Sequence, residues 1–274
     1  MLEIANVSFS YTTSRPILSD VSLTIAEGEF VAVAGRNGSG KTTLTKLFMS
    51  LIKPVSGTVS FNGVNTKKHA VADMARVIGY VFQNPDRQIF QDTVANEVAY
   101  GPKQLGFSTE RIDEVVRQAL ALTGLSELAQ TYPRTLSKGQ KQRVTIASAL
   151  AMQPKMLILD EPTSGQDVIE RNSLLQLLAR LNENGLAIIL VTHDMDILSR
   201  YPSRVIVMNA GSKVFDGKVS RLFAGDINVS AWGLKEPAAV IISRELAKYG
   251  VKPALVIETL TDELIKRLRS ECDV

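Results

Sequence analysis

The chain contains one cysteine, Cys272, in 274 residues. That excludes an internal disulfide framework and suits a reducing cytosol. It also lacks an excess of charge: 31 basic residues against 28 acidic ones leave +3. So slight a balance argues against nucleic acid as a partner. No stretch reaches the ~18–20 consecutive apolar residues of a membrane span. Met1-Leu2-Glu3-Ile4 carries neither the basic flank nor the apolar core of a secretory leader. Internal repeats and low-complexity tracts are missing as well. The expectation is a soluble, cytoplasmic chain. Its 45% hydrophobic and 22% charged residues are those of an ordinary globular protein. The length allows one large α/β domain and a small appendage.

What is present centres on Gly35-Arg36-Asn37-Gly38-Ser39-Gly40-Lys41-Thr42, a glycine loop of the form GxxxxGK[ST]. The apolar run Phe30–Ala34 before it reads as a buried parallel strand, and Thr43–Met49 after it carries helical spacing. Strand, glycine loop and helix together are the context this motif requires. Glycines bring backbone N–H groups close to a ligand, and the following helix directs its positive end to the same place. Lys41 is placed to reach β- and γ-phosphates, and the Thr42 hydroxyl to ligate Mg²⁺. The pattern predicts a nucleoside triphosphate site.

The remaining chain reads as alternating strands and helices. Residues 2–9 and 20–25 alternate as half-exposed strands, and 57–61 and 77–82 read as further strands. Between Phe82 and Leu136, Thr93–Tyr100, Thr109–Thr123 and Ser126–Gln130 look helical. Residues 138–152 form another helix closed by Pro154. Buried strands at 156–161 and 187–191 flank a helix at about 168–183, and a hairpin turns around Ala210-Gly211. Beyond Gly225, helices are expected at 235–249 and 261–270, separated by Gly250, Pro253 and an apolar run. The expected fold is α/β: a mostly parallel sheet with helices on both faces and an antiparallel β layer. A helical insertion occupies about 84–153 of a 1–225 domain. Residues 226–274 form a small C-terminal α/β appendage, docked or used for dimerisation.

Asp160 and Glu161 end one buried strand. There Asp160 can hold Mg²⁺ beside the phosphates, and Glu161 can orient and deprotonate an attacking water. His193 follows the next buried strand, at the edge where α/β sheets bind ligands, and is placed to hydrogen-bond a γ-phosphate. The other histidine, His69, sits in a polar segment and is expected to be solvated. Ser137 is a good N-cap for the 138–152 helix, whose first N–H groups suit an anion. Alone, Leu136–Gln140 is an ordinary capped helix start, Gln83 a polar residue after a strand, and Tyr11 a core aromatic.

In this order, these features resemble the nucleotide-binding subunit of an ATP-binding cassette (ABC) transporter, over about residues 1–225. The resemblance implies an ABC-type P-loop domain with ATP and Mg²⁺ as ligands. Tyr11 would stack on adenine and Gly35–Thr43 is the Walker A loop. Gln83 would sense Mg²⁺ and contact the membrane subunit. Ser137, Gly139 and Gln140 fall on the signature motif, Asp160 and Glu161 on Walker B and the catalytic glutamate, Asp167 on the D-loop, and His193 on the switch histidine. In that family two subunits meet head to tail around two ATP molecules. Phe82–Phe90 with Asn96–Pro102 looks more narrowly like the ATPases of energy-coupling factor (ECF) importers, the cobalt and nickel branch included. Those take up vitamins or transition-metal ions with a transmembrane coupling subunit and a substrate-capture membrane protein. The resemblance thus places the chain peripherally on the cytoplasmic membrane face. Lys138, where the signature has its first glycine, and Gln166, where the D-loop has an aliphatic residue, depart from the pattern. The alternatives are the ATPase of an exporter or conventional importer, and a soluble ABC ATPase working on DNA or ribosomes. The Gln83–Phe90 stretch speaks against an exporter. The near-neutral charge, single cassette and lack of coiled-coil heptads speak against a soluble ATPase.

Overall fold

In the computed structural model, which describes residues 1–12 and 15–272, two sheets share the chain. The first is antiparallel and built from β1 (Leu2–Phe9), β2 (Leu18–Ile25), β4 (Ser56–Phe61) and β5 (Val64–Asn65), in the order β2-β1-β4-β5. Alternation along β1, shifted once at the irregularity around Asn6, buries Leu2, Ile4, Val7 and Phe9, so one face meets the core and the other meets water.

The second sheet holds β3 (Phe30–Ala34), β6 (Ile78–Val81), β7 (Met156–Asp160), β8 (Ala187–Val191), β9 (Arg204–Asn209) and β10 (Ser212–Lys218). Its order is β10-β9-β3-β8-β7-β6, parallel except for the β9–β10 hairpin. Every residue of β3, β7 and β8 is buried, as strands covered on both faces require. Val191 stands level with both Val33 and Asp160. The loops leaving β3, β7 and β8 therefore emerge side by side at one sheet edge, and this places the site.

Helix α1 (Lys41–Phe48) lies between the sheets, where Leu44, Leu47 and Phe48 join residues of both in one core cluster. On the opposite face, α6 (Val168–Glu183) contributes Leu174, Leu175, Leu177 and Leu178 over β7 and β8. Short helices α2 (Val71–Ala75) and α7 (Met195–Arg200) follow β5 and β8 in the chain. The insertion consists of α3 (Val94–Gln104), α4 (Thr109–Thr123) and α5 (Lys138–Ala151), with a core of its own around Val98, Val115, Leu120 and Val144. Ser126–Leu128, expected as part of a helix, is a single 3₁₀ turn.

After α8 (Val219–Leu222), residues 226–272 hold α9 (Ala238–Glu245), α10 (Ile257–Cys272) and 3₁₀ turns. No strand forms there among the described residues, so the expected α/β appendage is corrected to a helical one. The apolar run Ala254–Ile257 buries Ala254 against Ala239, Val251 and Leu260 and leads into α10 instead of pairing. The expected 235–249 helix starts only after Pro237 and tightens into a 3₁₀ turn at Leu246–Tyr249. The core itself continues past residue 225: Val229, Leu234 and Val240 pack with Ala32, Ala34, Val205 and Val207.

Candidate active site

The phosphate loop owes its shape to close backbone approaches. Gly35, at φ 146°, lies so near β9 that a methyl group there would stand 2.2 Å from the Met208 carbonyl oxygen. Gly40, at φ 102°, caps α1 without a side chain, so the first N–H groups of that helix have no side-chain partner. The Ser39 hydroxyl is buried and unpartnered among the protein atoms. A buried hydroxyl and free N–H groups at a helix start fit a bound phosphate. Lys41 is buried, and its ammonium donates to the carbonyls of Gly35 (2.8 Å) and Arg36 (3.0 Å). Burial pulls its pKa below the usual lysine range, against the attraction of Glu161 and Asp160.

Thr42 Oγ1 donates to Asp160 Oδ2 at 2.9 Å, bringing together side chains 118 positions apart. Burial raises the Asp160 pKa, and the Glu161 charge adds to that; the Thr42 hydrogen bond and Lys41 oppose it. The hydroxyl of Tyr80, on β6, lies 3.0 Å from Thr45 Oγ1 and donates to Asp160 Oδ2 at 3.5 Å. Sequence reasoning missed Tyr80, because an aromatic in a buried strand reads as core. Two hard oxygen donors, Thr42 and Asp160, beside a phosphate cradle are the donor set that suits Mg²⁺.

Glu161 sits at φ 48°, a left-handed conformation costly for a side chain with a Cβ. Its backbone N–H is held by the Val191 carbonyl at 3.0 Å. Both carboxylate oxygens are engaged: Gln83 Nε2 donates to Oε2 (2.9 Å), and His193 Nδ1 donates to Oε1 (3.1 Å). Gln83, Asp160, Glu161 and His193 thus converge beside the loop. Tyr11, 58% exposed and edge-on to Phe9, lines the same cavity of about 380 Å³ with Asn37, Gly38, Gly40, Thr42 and Thr43.

Ser137, Gly139 and Gln140 belong to a second cluster on α5. Ser137 Oγ accepts from the Gln140 N–H (3.1 Å) while Gln140 Oε1 accepts from the Ser137 N–H (3.0 Å), a reciprocal cap. The Ser137 hydroxyl also donates to Glu170 Oε1 at 3.2 Å, and a methyl group on Gly139 would meet the same carboxylate. Asp167 caps α6 by accepting from the Glu170 N–H at 2.8 Å, tying both helix starts together. The Lys138 ammonium rests on Gly165, and Lys138 lines a cavity of about 850 Å³ that includes Thr42, Gln83 and Asp160. Gln166 turns back to the Pro162 carbonyl at 3.2 Å. His69, expected to be solvated, is half-buried, 3.7 Å from Asp73.

The segment after Gln83 is pinned. The buried Glu97 carboxylate accepts from the N–H groups of Phe90 (2.9 Å) and Gln91 (2.8 Å), and Lys141 holds Asp86 at 2.9 Å. Phe90 and Tyr100 pack edge to face, both exposed.

A family model described as ABC transporter matches residues 18–164. The chain belongs to the ABC transporter family. A Pyrococcus furiosus protein named as an ABC transporter ATP-binding protein is 42% identical over 260 residues, covering 95% of this chain and 98% of that one. An energy-coupling factor transporter ATP-binding protein, EcfA2 of Caldanaerobacter subterraneus, is 37% identical across 100% of this chain and 99% of its own. Among solved structures, CbiO1 of Clostridium perfringens, part of the ABC transporter complex CbiONQ, superposes with a TM-score of 0.77 at 35% identity, over 82% of this chain and 90% of that one. A dimeric ATP-binding cassette in a post-hydrolysis state, bound to ADP and phosphate, gives 0.72 at 31% identity, over 80% and 99%. The ABC chain described here is an ATP-binding, ATP-hydrolysing protein of the transporter-associated class. None of its described helices is long and apolar enough to cross a membrane.

Proposed function

We propose that this chain is the motor subunit of an ECF-type importer for a vitamin or transition-metal ion. The observation that carries the hydrolytic part is Glu161, clasped between Gln83 and His193 beside Lys41, Thr42 and Asp160. Its carboxylate accepts a proton from water as the water oxygen bonds to the γ-phosphorus and the bond to the β–γ bridging oxygen breaks. Gln83 and His193 each contact one Glu161 oxygen, and each oxygen keeps a lone pair that can accept from the attacking water. His193 uses Nδ1 for that contact, so donating to a γ-phosphate requires a changed contact or a second ring proton. Thr42 and Asp160 are the residues that would hold Mg²⁺, with Gln83 nearby, and the ion would supply charge neutralisation at the phosphate oxygens.

Ser137, Gly139 and Gln140 serve the ATP of a second ABC ATPase subunit, and Tyr11 stacks on adenine. The pinned Phe82–Phe90 segment and the exposed Phe90–Tyr100 pair offer a surface to a transmembrane coupling subunit, which works with a substrate-capture membrane protein. The motor then sits peripherally on the cytoplasmic membrane face. The full-length similarity to EcfA2 and the likeness to CbiO1 support the ECF reading. Residues 226–274 fit a further contact between ATPase subunits.

Affinity purification of the tagged protein from detergent-solubilised membranes of its host, with mass spectrometry, tests this reading. A multi-span coupling subunit and a small hydrophobic capture protein should co-purify. Recovery of soluble proteins or ribosomes alone would refute the transport role and leave the ATPase.

A further inference from the structure

The start of the phosphate loop is seated on two sides. On one side Gly35 touches the Met208 carbonyl of β9. On the other, the aliphatic stem of Arg36 lies across Gly233: a methyl group at 233 would stand 2.0 Å from Arg36 Cδ and 2.6 Å from Cγ. Gly233 is at φ 69° and closes a 3₁₀ turn, its N–H donating to the Ser230 carbonyl at 2.9 Å. The next residue, Leu234, is 5% exposed and buried against the same cluster as Ala32 and Ala34, the strand that delivers the loop. The seat is therefore joined to the sheet through Leu234, while Arg36 as a residue stays exposed.

This contact bears on chemistry through the backbone. The Arg36 carbonyl accepts from both Lys41 Nζ (3.0 Å) and the Ser39 N–H (3.1 Å). Any movement of Arg36 thus moves the ammonium that would meet the β- and γ-phosphates. Beyond the contact, Arg36, Asn37 and His193 share a cleft of about 650 Å³ with Lys235, Glu236 and Pro237 of the C-terminal segment.

We propose that Gly233 is a positioning residue for nucleotide binding: the C-terminal segment holds the phosphate loop in its binding conformation by seating Arg36. The inference rests on the phosphate-loop reading of residues 35–42. Binding and seating are then coupled in both directions. ATP bound at the loop steadies residues 229–237, and disturbing the seat weakens ATP.

Two measurements on the full chain test it. In hydrogen–deuterium exchange with ATP, peptides covering both 35–43 and 229–237 should slow. Protection of the first alone would overturn the seating; protection of neither would overturn the phosphate-loop reading and the seating with it. The second is a double-mutant cycle read with a fluorescent ATP analogue. Gly233→Asn keeps a residue tolerant of positive φ but puts a side chain where Arg36 lies. It should weaken binding about fivefold or more, as expected for residues in contact. KM for ATP should rise with kcat at saturation retained, whereas a merely destabilised protein would lose kcat at unchanged KM. Arg36→Ala alone should also weaken binding, and Gly233→Asn should add less than about twofold on that background. Wild-type affinity in Arg36→Ala, or an equal effect of Gly233→Asn in both backgrounds, would overturn the proposal.

Discussion

Glu161 and Asp160 are neighbours in sequence with different partners. Glu161 projects between two polar side chains, so Glu161→Gln removes the proposed base while keeping the shape of the site. ATP binding should persist and turnover should fall about 10²–10⁴-fold; hydrolysis at the wild-type rate would exclude Glu161 as the base. Asp160 is buried, and its raised pKa means the native state holds a proton to higher pH than the unfolded chain does. Native stability from this group is therefore present at low pH and is lost as pH rises through the raised value. In nucleotide-free protein, the Tm of Asp160→Asn relative to wild type should improve as pH rises from the ordinary aspartate value of 3.8 to neutral. A difference that shrinks over that interval would contradict the burial argument.

At the level of elements, the start of α5 carries more than a helix cap. Ser137 satisfies the Gln140 N–H and also donates to Glu170 of α6. Ser137→Ala should cost about 1 kcal/mol from the lost cap, read as a drop in the chemical-denaturation midpoint; no change would mean water replaces the cap fully. Lys138, beside it, rests on Gly165 and lines the cavity next to Asp160. Lys138→Gly removes that charge, and the ATPase rate should change; an unchanged rate would show that the ammonium is a spectator. Most elements were legible from apolar period and turn residues. The strands β3 and β8 are unbroken apolar runs, β7 is one up to Asp160, and the helix expected at 109–123 has those bounds. The 3₁₀ turn at 126–128 and the lack, among the described residues, of a strand between the two expected C-terminal helices were not, because short apolar runs have no period long enough to tell strand from helix.

Over the whole molecule, one cluster joins the nucleotide strand to the C-terminal helices. Leu234→Ala opens a cavity in that cluster and should cost about 2–5 kcal/mol, seen as a Tm lower by several degrees. The chain cut after residue 225 leaves Ala34, Val205, Val207 and Leu222 uncovered and should aggregate or lose cooperative unfolding. A stable, cooperative 1–225 fragment would show instead that the C-terminal helices only lean on the domain.

The glycine loop, the carboxylate pair and the histidine after a buried strand were determined by sequence alone. Backbone freedom at Gly35 and Gly40, a lysine at fixed spacing, and apolar runs ending in polar residues are local properties of the chain. Convergence is not local. The meeting of Thr42 with Asp160, the clasp of Gln83 and His193 on Glu161, and the seat of Arg36 on Gly233 bridge positions far apart in the chain. They exist because parallel strands β3, β8 and β7 lie side by side in that order, and because the C-terminal segment packs back on β3 and β9. Strand order and docking are set by the packing of whole faces, and only the tertiary structure decides which faces meet.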